Sequence, residues 1–144
     1  MMHRIIFATL LAAFFWAFVP ASDRAEASVL VQINRGTQTM AVTVDGAYAY
    51  TWRVSTARQG YITPPGTYHP HAMARMWYSK IYYNSPMPHS IFFYGGFAIH
   101  GTYDIARLGG PASHGCVRLD PNHAAILYGL VAREGMRNTT IVVQ

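Results

Sequence analysis

The chain holds one cysteine, Cys116, in the run Ser113-His114-Gly115-Cys116-Val117-Arg118-Leu119, sixteen positions after a histidine in Ile99-His100-Gly101. A single thiol has no internal disulfide partner, so in an exported protein it pairs with another molecule or reacts. A reactive thiol needs a base to take its proton. It also needs open backbone beside it, so that main-chain N–H groups face a developing oxyanion. The competing reading is a buried cysteine acting as a small apolar side chain. That fits poorly with Gly115, His114 and Arg118 so close by. Cys116 is therefore expected to be a nucleophile. His100 is the expected base. It ends the apolar run Phe97-Ala98-Ile99, where a rigid strand can hold an imidazole. Gly101 after it allows a carbonyl to hold Nδ1–H and set the tautomer.

The other chemistry open to these residue types is metal binding. His69, His71, His89, His114, Cys116 and His123 are all of ligand type. No H-E-x-x-H or C-x-x-C spacing is present, and a bound metal would occupy the thiol, so neither metal nor cofactor is expected.

Rigid elements must bring residues 100 and 116 together. Val29-Leu30-Val31-Gln32-Ile33 reads as a first strand, followed by a turn at Arg35-Gly36. Thr39–Val44 and Ala47–Val54 flank Asp45-Gly46, the preferred two-residue hairpin turn. Met40, Val42 and Val44 alternate with Thr39, Ala41 and Thr43, so one face should be buried. Residues 55–66 read as loop, punctuated by Gly60 and Pro64-Pro65-Gly66. Thr67–Trp77 reads as one further strand. Tyr78–Ser90, with Pro86 and Pro88, reads as an irregular, partly exposed aromatic segment whose role stays open. Ile91–Tyr94 and Phe97–His100 flank Gly95-Gly96 as a second hairpin. One helix is expected from Asp120 as N-cap and Pro121 at its first position to Gly135 just beyond its end, with Ile126, Leu127, Leu130 and Val131 at helical spacing. Thr139–Val143 reads as a last strand. Many strands and one late helix predict a mainly β fold, a sandwich or barrel.

The N-terminus bears on compartment. Met1-Met2-His3-Arg4 is basic, Ile5–Val19 is apolar but for Thr9, and Ala25-Glu26-Ala27 offers a small-residue cleavage site. That order is a secretory signal peptide over residues 1–27, leaving one domain over 28–144 and predicting a periplasmic location. A membrane span needs about 20 apolar residues, and Ile5–Val19 supplies fifteen. Residues 28–144 carry nine Arg and Lys against four Asp and Glu, a net charge of +5. An exported basic protein suits an anionic partner such as cell-wall polymer, a membrane surface or acidic peptides. The charges are scattered and the signal directs export, which argues against nucleic acid.

Ile99-His100-Gly101-Thr102, then Ser113-His114-Gly115-Cys116-Val117-Arg118-Leu119, resembles the catalytic signature of the L,D-transpeptidases, the YkuD-like family. Val54-Ser55-Thr56 with Thr63-Pro64-Pro65-Gly66-Thr67 is similar to a second stretch of that family, and the likeness extends over residues 28–144. The resemblance implies an L,D-transpeptidase-like fold and a cysteine acyltransferase acting on peptidoglycan tetrapeptide stems. In that reading Cys116 is the nucleophile and His100 the general base, oriented by the carbonyl of Gly101. Ser113 and His114 shape the site, and the N–H groups of Gly115 and Cys116 are the oxyanion donors. Arg118 lies near substrate and Tyr94 lines the donor side. Implied partners are peptidoglycan stem peptides, an outer-membrane protein as one class of acyl acceptor, and carbapenem-type inhibitors. Two alternatives stay open: a carboxypeptidase or amidase working from the same site, and a wall-binding module that does not turn over.

Overall fold

Val29, Val31 and Ile33 are buried while the residues between them are half-exposed, the period of a strand with one covered face. They belong to β1 (Val29–Asn34) of a computed structural model that describes residues 28–144. The expected signal segment, residues 1–27, lies outside the described residues. β2 (Thr39–Val44) and β3 (Ala47–Arg53) form the expected hairpin. Asp45 and Gly46 both take positive φ, 52° and 76°, as a type I′ turn demands. Then come β4 (Gly66–Tyr68), β5 (Ala72–Tyr78), β6 (Pro86–Tyr94), β7 (Phe97–Gly101) and β8 (Val117–Leu119). Helix α1 (Pro121–Glu134) and β9 (Thr139–Val143) complete the chain.

The strands form two sheets, in the orders β3-β2-β1-β9-β4 and β5-β6-β7-β8. They stack as a sandwich around one core, and no barrel closes. From the first sheet come Val31, Ile33, Met40 and Val42; from the second Ile91, Ile99, Val117 and Leu119. From α1 come Leu127 and Val131. The helix begins and ends where its capping residues predict: Asp120 accepts a hydrogen bond from the Asn122 N–H at 2.8 Å, and Gly135 follows with φ 99°. Ile126, expected on its buried stripe, is instead 40% exposed, and Ala124 fills the core position.

Two segments differ from the sequence reading. Thr67–Trp77 is two strands in different sheets, because His69-Pro70-His71 lies between β4 and β5 and a proline withholds its N–H from any ladder. Pro86–Ser90 is not irregular but the start of β6. There β6 pairs only with β5, since its pairing with β7 begins at Ile91. A stretch with an open side tolerates proline.

The arrangement that matters for chemistry is the parallel pairing of β7 with β8, in register Ile99↔Val117, His100↔Arg118 and Gly101↔Leu119. Opposed residues in a sheet share a face, and successive residues alternate faces. Ile99, Val117 and Leu119 go to the core, so His100 and Arg118 face the other way. Gly101 points back toward α1. A Cβ there would lie 3.0 Å from Pro88 Cγ, 3.1 Å from Pro121 Cα and 3.4 Å from Ala124 Cβ. Helix and strand approach this closely only over glycine. Gly101→Ala is therefore expected to cost about 1–3 kcal/mol, the usual range for overpacking. A lower urea midpoint at unchanged m-value is the readout; an unchanged midpoint would mean that α1 yields without cost.

Candidate active site

The face carrying His100 and Arg118 opens into a cavity of about 440 Å³. Cys116 lies two residues before Arg118, on the same face by alternation, and lines this cavity with His100. Trp77, Met87, Phe92 and Phe97 give it apolar walls, and residues 79–83 form one side. The site is thus built on paired strands, with the thiol at the last residue before one of them.

His100 is 6% exposed. Its Nδ1 lies 2.7 Å from the carbonyl oxygen of Gly101. A carbonyl only accepts, so Nδ1 carries the proton and Nε2 keeps its lone pair. Burial lowers the pKa of His100 to about 4, outweighing the Gly101 hydrogen bond, which favours the cation, while the nearby Arg118 lowers it further. Burial likewise pushes the Cys116 thiol up, against an Ala98 backbone hydrogen bond and Arg118, which lower it. Both shifts oppose a thiolate–imidazolium pair, so the resting site holds a neutral thiol and a neutral imidazole at pH 7. The thiol's own partner is the carbonyl of Gly96, 3.9 Å from Sγ, rather than His100. Rotation about the Cys116 side chain and tightening on substrate would be needed to form the expected bond between nucleophile and base.

The loop before the thiol is held by hydrogen bonds rather than packing. Ser113, fully buried, donates through Oγ to the Cys116 carbonyl at 2.6 Å and accepts from the Gly115 N–H at 3.0 Å. That second bond occupies a donor expected to face an oxyanion, leaving the N–H of Cys116 as the other expected one. Thr63 Oγ1 accepts from the Ala57 N–H at 3.0 Å and donates to the Gly115 carbonyl at 2.8 Å. Ser55 exchanges backbone hydrogen bonds with Arg118, and Thr56 accepts from the Ser113 N–H at 3.0 Å. The Val54-Ser55-Thr56 and Thr63-Pro64-Pro65-Gly66 stretches are therefore the frame of the thiol loop. Gly115 takes φ 137°, and a Cβ there would fall 2.5 Å from Phe97 Cε1 and 3.0 Å from the Ile62 carbonyl.

His114 sits apart from the thiol–imidazole pair, on the rim. It stacks on Tyr82 with ring centroids 4.0 Å apart, meets Tyr61 edge-on at 4.8 Å and accepts from Arg58 Nη2 at 3.0 Å. Its pKa is lowered, first by desolvation and then by Arg58 and Arg118. Tyr94 is not brought into the cavity. It is 53% exposed and packs against Tyr68 and Phe97 instead. The remaining histidines are dispersed: His69 Nδ1 bonds the Thr139 carbonyl, His123 stacks on Trp52 and His89 meets Tyr128. Among the described residues no three His, Cys, Asp or Glu groups converge as a metal site. Arg58, Tyr61 and Tyr82 join the site without any local sequence signal. No spacing rule ties them to His114, because Arg58 and Tyr61 lie on one loop, Tyr82 on another, and neither is the loop of His114.

The arrangement has known counterparts. Residues 28–143 match the family model of the L,D-transpeptidase catalytic domain. The chain is similar to a solved L,D-transpeptidase from Stackebrandtia nassauensis at 26% identity and TM-score 0.71, over 88% of this chain and 61% of that one. A Mycobacterium smegmatis L,D-transpeptidase shares 24% identity with TM-score 0.73, over 82% and 59%. L,D-transpeptidase 3 of Mycobacterium tuberculosis, solved in complex with a faropenem-derived adduct, shares 18% with TM-score 0.69, over 82% and 60%. The chain thus spans less than two thirds of the length of those chains. No curated protein matches it. With the family model running through all nine strands and the helix, the chain belongs to the L,D-transpeptidase catalytic-domain (YkuD) family.

Proposed function

We propose that the protein is a cysteine acyltransferase that cuts the bond before the terminal residue of a peptidoglycan tetrapeptide stem and passes the acyl group to an amine. The observation that supports this best is the pairing of β7 with β8. It sets Cys116 and His100 on one face of one cavity, with the His100 tautomer fixed by Gly101 and Nε2 free to accept a proton. The thiol proton passes to His100 Nε2 as sulfur attacks the carbonyl. Proton transfer accompanies attack, because neither ion is stable in the resting site. The N–H of Cys116 stabilises the oxyanion, a contribution of roughly 3–4 kcal/mol per donor where measured. His100 then protonates the leaving amine, and an acceptor amine takes the acyl group from sulfur. Arg118, half-buried beside both groups, binds a stem carboxylate through its guanidinium fork. The faropenem-derived adduct in the M. tuberculosis relative supports penem-type β-lactams as acyl donors for Cys116.

In Cys116→Ala, conversion of purified muropeptides falls to background, and a penem adds no mass to the intact protein, while circular dichroism stays native. Transfer by a protein shown by mass to lack the thiol, or a penem adduct on another residue, refutes the assignment.

The neutral resting pair has its own signature. Iodoacetamide should alkylate Cys116 slowly through neutral pH and faster only above the ordinary thiol range, with no inflection near pH 6.5, since burial holds His100 near 4. A rate that reaches its plateau by pH 7 would mean a resting ion pair and overturn the order of events above.

The site of action follows from residues 1–27. A cleaved signal peptide releases the enzyme into the periplasm with Ser28 at its N-terminus. N-terminal sequencing of the protein from a periplasmic extract checks this. Recovery only from membranes, with Met1 or Met2 still present, counts against it.

A further inference from the structure

Residues 79–85 join β5 to β6, and most of them line the thiol's cavity. This turn braces itself. Ser79 N–H donates to the Ser85 carbonyl at 3.0 Å, Tyr82 N–H to Ser79 Oγ at 3.0 Å, and Ser85 Oγ to the Tyr82 carbonyl at 2.7 Å. Tyr83 and Asn84 reverse the chain, each with φ 53°. Among the described residues no hydrogen bond ties 80–85 to anything outside the turn. The strands that carry it add little support, because β6 pairs with β5 alone until Ile91.

One residue of the turn is drawn inward. Tyr82 is half-buried, although Ile81 before it is 78% exposed and Tyr83 after it 99%. Its ring lies on His114, with centroids 4.0 Å apart and planes 7° from parallel. His114 is itself fixed. Arg58 Nη2 donates to its Nε2 at 3.0 Å, and Tyr61 meets it edge-on at 4.8 Å. Arg58 Cζ lies 5.2 Å from the centre of the Tyr61 ring, and the Arg58 backbone N–H donates to the Ser113 carbonyl at 2.9 Å. His114 stands two residues before Cys116, so the ring stack joins the turn to the segment that carries the thiol.

We propose that Tyr82 is a positioning residue for the acyl donor: its stack on His114 seats the 79–85 turn as a fixed wall of the thiol's cavity. This rests on the transfer reading above and adds a residue of donor recognition to it. A turn braced from within moves as one body, so a single ring contact decides where Lys80, Ile81 and Tyr83 stand along the cavity. The task of Tyr82 is geometric. Its ring takes no proton and forms no bond in the reaction. An unseated wall costs donor binding and leaves the steps on sulfur as they are. Arg58 belongs to the same seat, because its bond to His114 needs a neutral ring nitrogen as acceptor and so fixes how the imidazole is turned.

A double-mutant cycle on Tyr82 and His114 tests the seat, read as the dissociation constant of a synthetic stem tetrapeptide from the Cys116→Ala protein. Tyr82→Leu should raise that constant about three- to tenfold, the range that a stacked aromatic pair commands. Tyr82→Phe, which keeps the ring, should restore it. His114→Ala should cause a similar loss, and adding Tyr82→Leu to it should cost nothing more. In the parent protein the ring protons of His114 should carry an upfield ring-current shift that Tyr82→Leu abolishes and Tyr82→Phe retains. With the thiol intact, Tyr82→Leu should raise the donor KM by the same factor and hold kcat within about twofold. Additive losses, a Phe variant as weak as the Leu one, no binding by the parent, a dissociation constant unchanged in Tyr82→Leu, or a loss confined to kcat would each overturn the seat. Tyr82-dependent binding in a protein that never forms an acyl-enzyme would leave the seat standing and remove the transfer reading. Turnover indifferent to Tyr82 would do the reverse.

Discussion

One strand pairing carries the site. β7 and β8 run parallel, and their register decides at once what is core and what is chemistry: Ile99, Val117 and Leu119 inward, His100 and Arg118 toward the cavity. A slip of one residue would bury the imidazole and guanidinium in the apolar core and turn the isoleucine and valine outward, so packing favours the catalytic face. Three constraints pin that register. Gly101 fits under α1 only where it stands. Ser55 clamps Arg118 through two backbone hydrogen bonds. The Asp120 cap starts α1 immediately after β8. Parallel neighbours need a crossover connection rather than a tight turn, and here residues 102–116 supply it. The thiol sits at the end of that crossover, where loop freedom meets a fixed strand.

The walls that shape the cavity also set its electrostatics. Desolvation is the largest cause behind both the lowered imidazole and the raised thiol. A buried ion pair recovers its desolvation cost only with excellent geometry and further hydrogen bonds. This site offers the thiol a long contact to the Gly96 carbonyl and a hydrogen bond with the Ala98 backbone, and the imidazole one short bond to Gly101. The neutral pair is the cheaper resting state. Arg118 acts on both partners in the same sense, favouring thiolate and disfavouring imidazolium, so it assists the sulfur while making His100 a weaker base.

Much of this was legible in the sequence, for local reasons. The Asp45-Gly46 hairpin, the capped helix and the strand pairs β1–β2 and β6–β7 announce themselves through turn residues and alternation, signals contained within a few positions. The Cys116 and His100 motifs were visible because glycine, histidine and cysteine rarely cluster without chemistry. What was not legible depends on what lies across a gap. Pro86 and Pro88 argue against a strand unless β7 is known to stop short of them. Ile126 satisfies the helical spacing but faces solvent, because the smaller Ala124 is what fits where α1 meets β7. Tyr94 ends β6 and packs on Tyr68 and Phe97 rather than lining the cavity. The Gly115 N–H is open by sequence and taken by Ser113 in space. Arg58, on a loop that touches the thiol segment through backbone bonds, has no local signature at all.

Those backbone bonds explain why the two motif stretches travel together. Val54–Thr56 and Thr63 contribute no side chain that lines the thiol's cavity. Their part is to satisfy main-chain groups of a loop that glycine makes open and that burial would otherwise leave unpaired, at about 1–3 kcal/mol for each orphaned group. Thr63 does this twice with one hydroxyl, and Ser113 does it twice with another. A thiol loop fixed in this way keeps its carbonyls directed inward. Its conformation is then set before any substrate arrives, and the cost of ordering it is met on folding rather than in the reaction. The same ties that hold Ser113 also hold Arg58, so the position of the nucleophile and the seating of Arg58 against rim His114 come from a single network of hydrogen bonds.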